Sequence, residues 1–403
     1  MQKRIELSVI NHYLAQKQHL WPDSRQPDPV QVTRDIVALH ASAAVGPYLS
    51  LWARVPGFRR ELLEDALFAQ RSLAKVLCMR YTVHVAPGDE APYFFQAYAD
   101  RPPTRDQAPL NTLLVWAELC RDADAEALGL ALRGRVLDVL REKGSATVRE
   151  ISGAVPELTA RVRHSAGKKY EGEFSIGSRL LPMMCAEGTL IRGRPRGTWR
   201  STQHEYAVLA DWLPGVELAS ISPKDARTWL IRRYLAAFGP ATPDDVKWWS
   251  GLSKTQVAET LAWLAPEIAQ VTIEGCSENH LMLAEDLARL RDFTPPETPY
   301  AFLLPALDPY IMGYRDRGHF LGPEHNKKVF DPAGNAMPTV WADGRVAGLW
   351  GQRRDGPVVY RLFRPVEPAA KACLAEEAGR LEEFLAGEYL PPFTSTSFAR
   401  GLA

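Results

Sequence analysis

Three helices followed by a two-stranded hairpin are the pattern that most constrains the fold of this 403-residue chain, and residues 224–284 show it most clearly. After a first predicted helix, Thr242-Pro243 has the order typical of an N-cap and a first helical position. Ser253-x-x-Gln256 has the spacing of a capping box and predicts a third helix. The strand-like runs Q-V-T-I-E-G and H-L-M-L-A follow. This order of elements predicts the winged-helix form of the helix-turn-helix.

The same order of elements is predicted twice more, earlier in the chain. In the first copy the helices are expected at 5–18, 29–39 and 59–69, with a hairpin that turns near Arg80. In the second copy they are expected at 135–142, after the capping box Thr147-x-x-Glu150, and at 175–187, with a basic hairpin at 189–202. The polar segment 161–174 lies between the second and third helices of this copy, and its length is typical of functional or disordered loops.

The character of the sequence changes from residue 298 onward. Three strand-like runs, F-L-L-P, V-W-A-D-G-R-V-A-G-L-W and V-V-Y-R-L-F, predict a small β domain, and a helix is expected at 369–385. We therefore expect a mainly α chain with β structure, with domains at 1–107, 108–218, 219–296 and 297–403.

Charge is balanced over the whole chain but not along it. The chain has 48 Lys and Arg against 48 Asp and Glu, whereas residues 131–200 have 14 against 7, which is a local excess of 14 − 7 = +7. A basic segment within a neutral chain indicates a polyanionic partner.

Signals for a membrane or a metal site are missing from the sequence. It contains no run of 18 apolar residues, and M-Q-K-R-I-E-L-S-V-I-N-H lacks the apolar core of a signal peptide. The five cysteines are scattered, with no C-x-x-C pair. We therefore expect a cytoplasmic protein with free thiols, no metal and no organic cofactor.

The segment 28–56 contains the candidate catalytic residues. Asp28 and Pro29 predict the start of a helix, and apolar spacing continues it to residue 39. His40 and Ser42 would then lie in its fraying last turn, where both side chains can face one point. The partial negative charge of a helix C-terminus would stabilise positive charge there. The alternative is that His40 packs in the core and Ser42 bonds a backbone carbonyl.

Four stretches together resemble the winged-helix DNA glycosylases, a bacterial family that excises bulky alkylated purines and unhooks interstrand crosslinks. The resemblance covers nearly the whole chain, and these stretches are 48–55, 234–245, 302–317 and 340–350. It implies three tandem winged helices followed by a small β-barrel, arranged as a C-shaped monomer around duplex DNA. The family is typified by Gln-x-Gln or Gln-x-Asp after the second helix, where this chain has His40-Ala41-Ser42.

The resemblance implies a monofunctional DNA glycosylase that acts on bulky N7- or N3-alkylated purines. One role for such an enzyme is self-resistance to a DNA-alkylating natural product. His40 and Ser42 would hold the attacking water, and no lysine adjoins them in sequence to form a Schiff base. We expect duplex DNA as the partner, no membrane contact, a monomer, and a place at the nucleoid.

Two other classes of function fit the same sequence. The missing glutamine pair fits a non-catalytic winged-helix protein, such as a regulator or lesion sensor. A structural scaffold without a DNA role is the third interpretation, and the basic hairpin argues against it.

Candidate DNA-binding side chains lie on three segments. We expect phosphate contacts from Arg161, Arg163, Lys168 and Lys169 in the polar segment, from Arg192, Arg194, Arg196, Trp199 and Arg200 in the basic hairpin, and from Arg353 and Arg354 in a late turn. The alternatives are a disordered loop for the first group and solvated surface charge for the other two.

Overall fold

The first unit of the computed structural model combines short helices with a three-stranded antiparallel sheet. Across the chain, the structure describes residues 4–100, 109–164, 172–276, 279–392, 396–400 and 402. The elements of this unit are α1 (Leu7–Lys17), α2 (Pro29–Asp35), β1 (Leu39–His40), α3 (Gly46–Trp52), α4 (Arg60–Glu64), β2 (Leu73–Leu77), β3 (Val83–Pro87) and α5 (Ala91–Gln96). The strand order is β1-β3-β2.

The second unit contains one long helix and two separate antiparallel sheets. Its elements are α6 (Leu110–Trp116), α7 (Ala125–Lys143), β4 (Ala146–Thr147), α8 (Val148–Ala154), β5 (Arg161–His164), β6 (Gly172–Ser175), α9 (Gly177–Ala186), β7 (Leu190–Pro195), β8 (His204–Val208) and α10 (Leu209–Trp212). Strands β4, β8 and β7 form one sheet, and β5 pairs with β6. The two described ends of the segment 161–174 are therefore strands, and they pair with each other.

The third unit follows the sequence prediction closely. Its elements are α11 (Pro223–Phe238), α12 (Pro243–Ser250), α13 (Lys254–Trp263), β9 (Ile268–Thr272), β10 (Asn279–Leu283) and α14 (Ala284–Asp292). The capping boxes predicted at Thr147 and Ser253 are confirmed. Each hydroxyl accepts a hydrogen bond from the backbone N–H three residues later, and the side chain of that later residue accepts one from the backbone N–H of the capping residue. Thr242 is also confirmed as an N-cap.

One connectivity recurs in all three units. A short strand or single bridge residue that lies between two helices pairs with the second strand of the hairpin: β1 with β3, β4 with β8, and Ala241 with Leu281 in β10. The helix that follows the short strand is α8 in the second unit and α12 in the third. The equivalent helix in the first unit is therefore α3.

The prediction of a single helix over 29–39 is wrong beyond residue 35. The chain leaves helical geometry at Ile36, and Val37 has φ 72°, in the left-handed region. This break turns Leu39 into the sheet, where both it and Val37 are fully buried. The next helix begins at Gly46-Pro47, because proline is well suited to a first helical turn.

The last unit is an open sheet, so the expected β-barrel is wrong. Its elements are β11 (Ala301–Leu304), α15 (Asn326–Val329), β12 (Thr339–Ala342), β13 (Arg345–Gln352), β14 (Val358–Leu362) and α16 (Pro368–Leu385). The strand order is β11-β12-β13-β14, and the two edge strands do not pair with each other within the described residues. Four short strands are too few to close around a side-chain core. Helix α16 packs against both edges instead.

Two hydrophobic cores hold these units together. One is continuous through the first, third and last units, and the other belongs to the second unit. Trp199 and Trp212 of the second unit enter the larger core, which joins its hairpin to the rest of the chain. Among the helices that the structure describes, none is long and apolar enough to cross a membrane.

Candidate active site

The sequence predicted a helix end at His40, but this residue lies in a strand. Strand β1 pairs with β3 so that His40 is directly opposite His84, and the two rings are 5.0 Å apart at 63°. Only 7% of His40 is exposed. The helix break at Ile36 places four residues between α2 and His40, so the charge of the helix terminus has decayed before it reaches the ring.

Both imidazoles are neutral at ordinary pH. Burial and, as a smaller cause, the nearby charge of Arg80 lower the pKa of His40 to about 4. Burial also holds the pKa of His84 well below its usual value, with His40 and Arg80 adding to the effect. A neutral ring can accept a proton, which a general base requires.

Hydrogen bonds define which ring nitrogens carry protons. The backbone N–H of Ser42 donates to Nδ1 of His40 at 3.4 Å, so the neutral ring carries its proton on Nε2. Nδ1 of His84 donates to the carbonyl of Thr82 at 3.1 Å. The His40 contact is long and therefore weak. A water molecule near Ser42 can compete for the lone pair on Nδ1.

Ser42 is exposed and lines a cleft of about 260 Å³ between the β2–β3 and β7–β8 hairpins. His40 is not among the lining residues, because adjacent rows of a sheet point to opposite faces. Lys75 shares a row with Val85 and faces the cleft. The structure thus brings the His40 ring to the main chain of Ser42, at the edge of this cleft.

Arg80, which sequence analysis did not single out, acts on the histidine pair, and Arg317 lies near Arg80. Arg80, in the tight β2–β3 turn, lies 4.1 Å from the ring of Trp248, and Arg317 lies 5.1 Å from the same ring. Within the described part of the chain neither guanidinium has an ion pair, and each has a buried Nε without a hydrogen-bond partner. Burial lowers the pKa of Arg317 to about 10, and the charge of Arg80 adds to this shift.

The two arginines of β5 already have a carboxylate partner. Arg161 and Arg163 lie 3.3 and 3.5 Å from Glu173 on β6, and both are well exposed. Because both side chains are exposed, the guanidinium N–H groups that do not contact Glu173 are open to solvent. Lys168 and Lys169 lie outside the described residues.

The basic hairpin is divided between internal contacts and free surface. Trp199 is 7% exposed and donates to Glu388, which also pairs with Arg200 at 3.3 Å. These two side chains join the hairpin to the segment that follows α16. They are therefore engaged within the protein. Arg192 lines the cleft, whereas Arg194 is exposed above the Phe68 ring.

The remaining predicted DNA contacts are exposed. Arg196 pairs weakly with Glu205 at 3.4 Å. Arg353 and Arg354 lie in the turn between β13 and β14, and both side chains are exposed. In the described ranges, no group of three or more His, Cys, Asp or Glu residues has the arrangement of a metal site.

Three buried histidines should make the fold sensitive to mild acid. Burial lowers the pKa of His40 to about 4 and of His319 to about 3, and it lowers that of His84 in the same direction. The unfolded chain titrates near 6.5 and so binds more protons below that pH, which means that stability is lost as the pH falls. We expect His40 and His319 each to cost about 2 kcal/mol between pH 7 and pH 5.

Urea denaturation at pH 7 and pH 5 measures this loss. A His319→Gln variant should show a smaller difference between the two pH values than the wild type. Equal unfolding free energies at both pH values would contradict the neutral assignment of these histidines.

Comparisons with known proteins agree with the resemblance noted in the sequence. The family model described as AlkZ-like DNA glycosylase matches residues 33–384. The interstrand DNA cross-link repair glycosylase of Streptomyces sahachiroi is 27% identical over 379 residues, which cover 91% of this chain and 93% of that protein. The solved structure of the S. sahachiroi DNA glycosylase AlkZ matches with a TM-score of 0.74 at 22% identity, over 96% of this chain and 99% of that one. The chain belongs to the AlkZ-like family and is a DNA glycosylase.

Proposed function

We propose that this glycosylase excises bulky N7- or N3-alkylated purines from duplex DNA, with His40 and Ser42 holding the attacking water. The neutral, buried imidazole whose Nδ1 faces Ser42 is the observation that carries the proposal. The S. sahachiroi relative is named for interstrand crosslink repair, so crosslinked purines belong to the same substrate class. A role in self-resistance to an alkylating natural product fits this class.

The reaction requires few catalytic groups from the protein. Alkylation at N7 makes the base cationic, so it leaves without being protonated, and the sugar becomes oxocarbenium-like in the transition state. Nδ1 of His40 accepts a proton from water while the hydroxyl of Ser42 orients that water. Water displaces the base, as in a monofunctional glycosylase, and the first product is an abasic site in an intact strand.

Single-turnover release of a bulky N7-alkylguanine from duplex DNA tests this function. Alkali should then cut the product strand at the abasic site. Failure of the wild-type chain to release the base would favour the rival function, a lesion sensor or regulator without catalysis. Two features favour that rival. The His-x-Ser motif replaces the glutamine pair, and only 7% of His40 is exposed.

The recurrent connectivity supports three winged helices that together surround DNA. Each unit has a short strand paired to the end of its hairpin, as described above. We propose that they and the last unit form a C-shaped monomer, within the domain boundaries expected from the sequence, and that the protein works at the nucleoid. One chain then supplies a DNA-sized surface, whereas single helix-turn-helix modules usually dimerise. Light scattering should give a monomer mass with and without DNA, and an obligate dimer would contradict this.

Phosphate contacts should come from exposed or unpaired arginines. We assign this role to Arg161, Arg163, Arg192, Arg194, Arg196, Arg353 and Arg354, together with Lys168 and Lys169, and add Arg80 and Arg317. Arg80 and Arg317 are half-buried, and burial, with the charge of Arg80 as a second cause, lowers the pKa of Arg317, so a phosphate between them would offset an unfavourable interaction.

Replacing Arg80 or Arg317 with methionine should weaken binding to duplex DNA and reduce its dependence on salt. Methionine keeps apolar packing against Trp248 but removes the charge. Each lost phosphate contact should flatten the plot of log K against log salt by about one unit. Fluorescence anisotropy over a salt series measures both quantities on a duplex with an abasic-site analogue.

Arg232→Met is the matched control for these two variants. Arg232 is already paired with Glu267 at 2.7 Å and Glu285 at 3.2 Å, so its removal should leave the slope unchanged. A wild-type slope in both Arg80→Met and Arg317→Met would remove the pair from the DNA surface. Salt-independent binding by the wild type, or a strong consensus sequence, would instead favour a regulator.

A further inference from the structure

The cleft beside Ser42 is lined by basic side chains and by no carboxylate. Lys75 on β2, Arg192 on β7 and His204 at the start of β8 all line it, and none of the described lining residues is Asp or Glu. The whole chain has as many acidic as basic residues, so composition does not explain a space with one sign of charge. A cleft of this kind is suited to an anion.

Lys75 has almost no partner within the described protein. Its Nζ donates one long hydrogen bond, 3.4 Å to the carbonyl of Gly193, and lies 5.4 Å from the centre of the Phe68 ring. Burial lowers the pKa of Lys75 to about 8, and the charge of Arg192 is the second cause. The charged amine is therefore destabilised in the free protein, and a bound anion would stabilise it.

Arg192 lies across the cleft from Lys75 and is also incompletely bonded. Its Nε is buried and has no hydrogen-bond partner among the described residues. A buried N–H of a charged group costs free energy until an acceptor bonds it. Because Lys75 and Arg192 are both donors, they cannot satisfy each other. One acceptor between them would satisfy both, and a phosphate has several acceptor oxygens.

We propose that this cleft holds a single phosphodiester of DNA between Nζ of Lys75 and the guanidinium of Arg192. This phosphodiester is one of the two that flank the nucleotide whose sugar lies at Ser42. The assignment rests on the excision function proposed above and deepens it, because the contact would place that sugar against the His40–Ser42 loop. The cleft volume of about 260 Å³ lies below the roughly 300–1,000 Å³ usual for drug-sized ligands, which suits a sugar phosphate better than a purine with a bulky adduct.

This contact would couple DNA binding to the protonation of Lys75. The amine of the free protein loses its proton near pH 8, whereas a neighbouring phosphate raises its pKa toward the ordinary value for lysine. The complex therefore binds more protons than the free protein above pH 8. Affinity for DNA should fall as the pH rises from 7 to 9, by about tenfold in total for a pKa of about 8.

Lys75 is the group of this cleft that titrates in that pH window. The titratable groups that face it or line the same cleft are Arg192 and Arg194 on β7, His204 on β8, Tyr48 on α3, and Glu64 on α4, which bonds Tyr48. Burial lowers the pKa of His204 to about 4, with the charge of Arg192 as the second cause, so the ring stays neutral. Burial raises the pKa of Tyr48, so its hydroxyl keeps its proton.

Fluorescence anisotropy at pH 7, 8 and 9 and constant ionic strength measures this coupling on a duplex with a stable abasic-site analogue. We expect the Kd of the wild type to rise about tenfold from pH 7 to pH 9. Lys75→Arg is charged at every pH and should change by less than about twofold. Lys371→Arg, at an exposed lysine on α16, is the matched control and should keep the wild-type pH dependence.

A neutral methylphosphonate, placed at one phosphate at a time, locates the contact. In the wild type, this change at one of the two phosphates that flank the analogue should weaken binding by about tenfold or more, the scale of a hydrogen-bonded charge pair. Lys75→Met should weaken binding to the unmodified duplex similarly. The methylphosphonate at that position should then cost the variant little more, because the pair is already lost, whereas the two changes should add at distant phosphates.

Thermal melting separates loss of the contact from loss of the fold. Methionine keeps an apolar stem beside Phe68 and removes a desolvated charge that has no counter-charge in the described protein. Lys75→Met should therefore melt no lower than the wild type while it binds DNA more weakly. The pH series with Lys75→Arg does not depend on this variant.

Three results would each overturn the phosphate assignment. They are a wild-type affinity that stays constant from pH 7 to pH 9, additive effects of Lys75→Met and the methylphosphonate at both flanking positions, and coupling of Lys75 to a distant phosphate. None of these measurements requires excision, because the analogue carries no base. Release of an alkylated base by the wild type would therefore leave the proposed function standing if the phosphate assignment fails. A tenfold pH effect in a protein that releases no base would support the phosphate assignment and contradict the excision function.

Discussion

Replacing Arg54 with methionine should lower the free energy of unfolding by about 3–5 kcal/mol, the usual cost of stranding one partner of a buried ion pair. Arg54 and Asp308 are both fully buried, and their two parallel contacts are 2.8 Å long. Arg54 also donates to the carbonyls of Gln18 and Ser50 at 2.9 Å. Methionine would leave the carboxylate of Asp308 in the core without its counter-charge.

Urea denaturation of the variant against the wild type measures this effect. Arg232→Met removes an exposed and paired arginine and should cost less than about 1 kcal/mol. The double variant Arg54→Met, Asp308→Leu should lose less than the sum of its two single changes, since the buried charge is then gone. A loss below 1 kcal/mol in Arg54→Met would show that the pair is not buried in solution.

This ion pair also determines where the candidate site lies. Arg54 follows α3 directly, and Ser50 on α3 donates to Asp308 at 2.7 Å. The contact fixes α3 on the last unit, and α3 in turn determines the path of residues 41–45. Asp308 therefore has a structural role, and its partner comes from a different unit of the chain.

Replacing His40 with alanine should reduce single-turnover excision by roughly 100-fold or more, the scale expected for losing a positioned acid–base group. The low pKa of His40, about 4, keeps the ring neutral across the working pH range, and burial is its main cause. Excision should therefore remain constant from pH 8 to about pH 5 and fall only as the ring protonates below that. His40→Gln, the residue typical of the family at this position, should retain more activity than His40→Ala.

Ser42→Ala should cost less than His40→Ala. The hydroxyl is exposed and only orients the water, so solvent can partly replace it. DNA affinity should survive both changes, because phosphate contacts carry it. Thermal melting of each variant separates a chemical defect from a folding defect, and a melting loss that accounts for the lost activity would favour a packing role for His40.

Local chemistry predicted much of the fold. The capping residues Thr147, Thr242 and Ser253 each begin a helix as expected, since their hydroxyls satisfy backbone donors within four residues. The hairpins were also predictable from alternation and turn residues. The interruption at Val37 was not, because apolar spacing continues through it and only tertiary burial selects φ 72° there.

The site was less predictable than the fold. His40 and Ser42 are candidates from the sequence alone, but a helix end was expected there, and His40 instead lies in a strand opposite His84. The DNA-binding role proposed for Arg80 and Arg317 rests on their contacts with Trp248, which join residues far apart in sequence. No spacing rule connects such positions, so only the folded chain reveals them.

Single-turnover excision of a bulky N7-alkylguanine from duplex DNA, with wild type and His40→Ala measured side by side, tests the central claim most directly. We expect the wild type to release the base and to leave an abasic site. His40→Ala should be slower by roughly 100-fold while melting and binding DNA like the wild type. Equal rates for the two proteins would remove His40 from the mechanism.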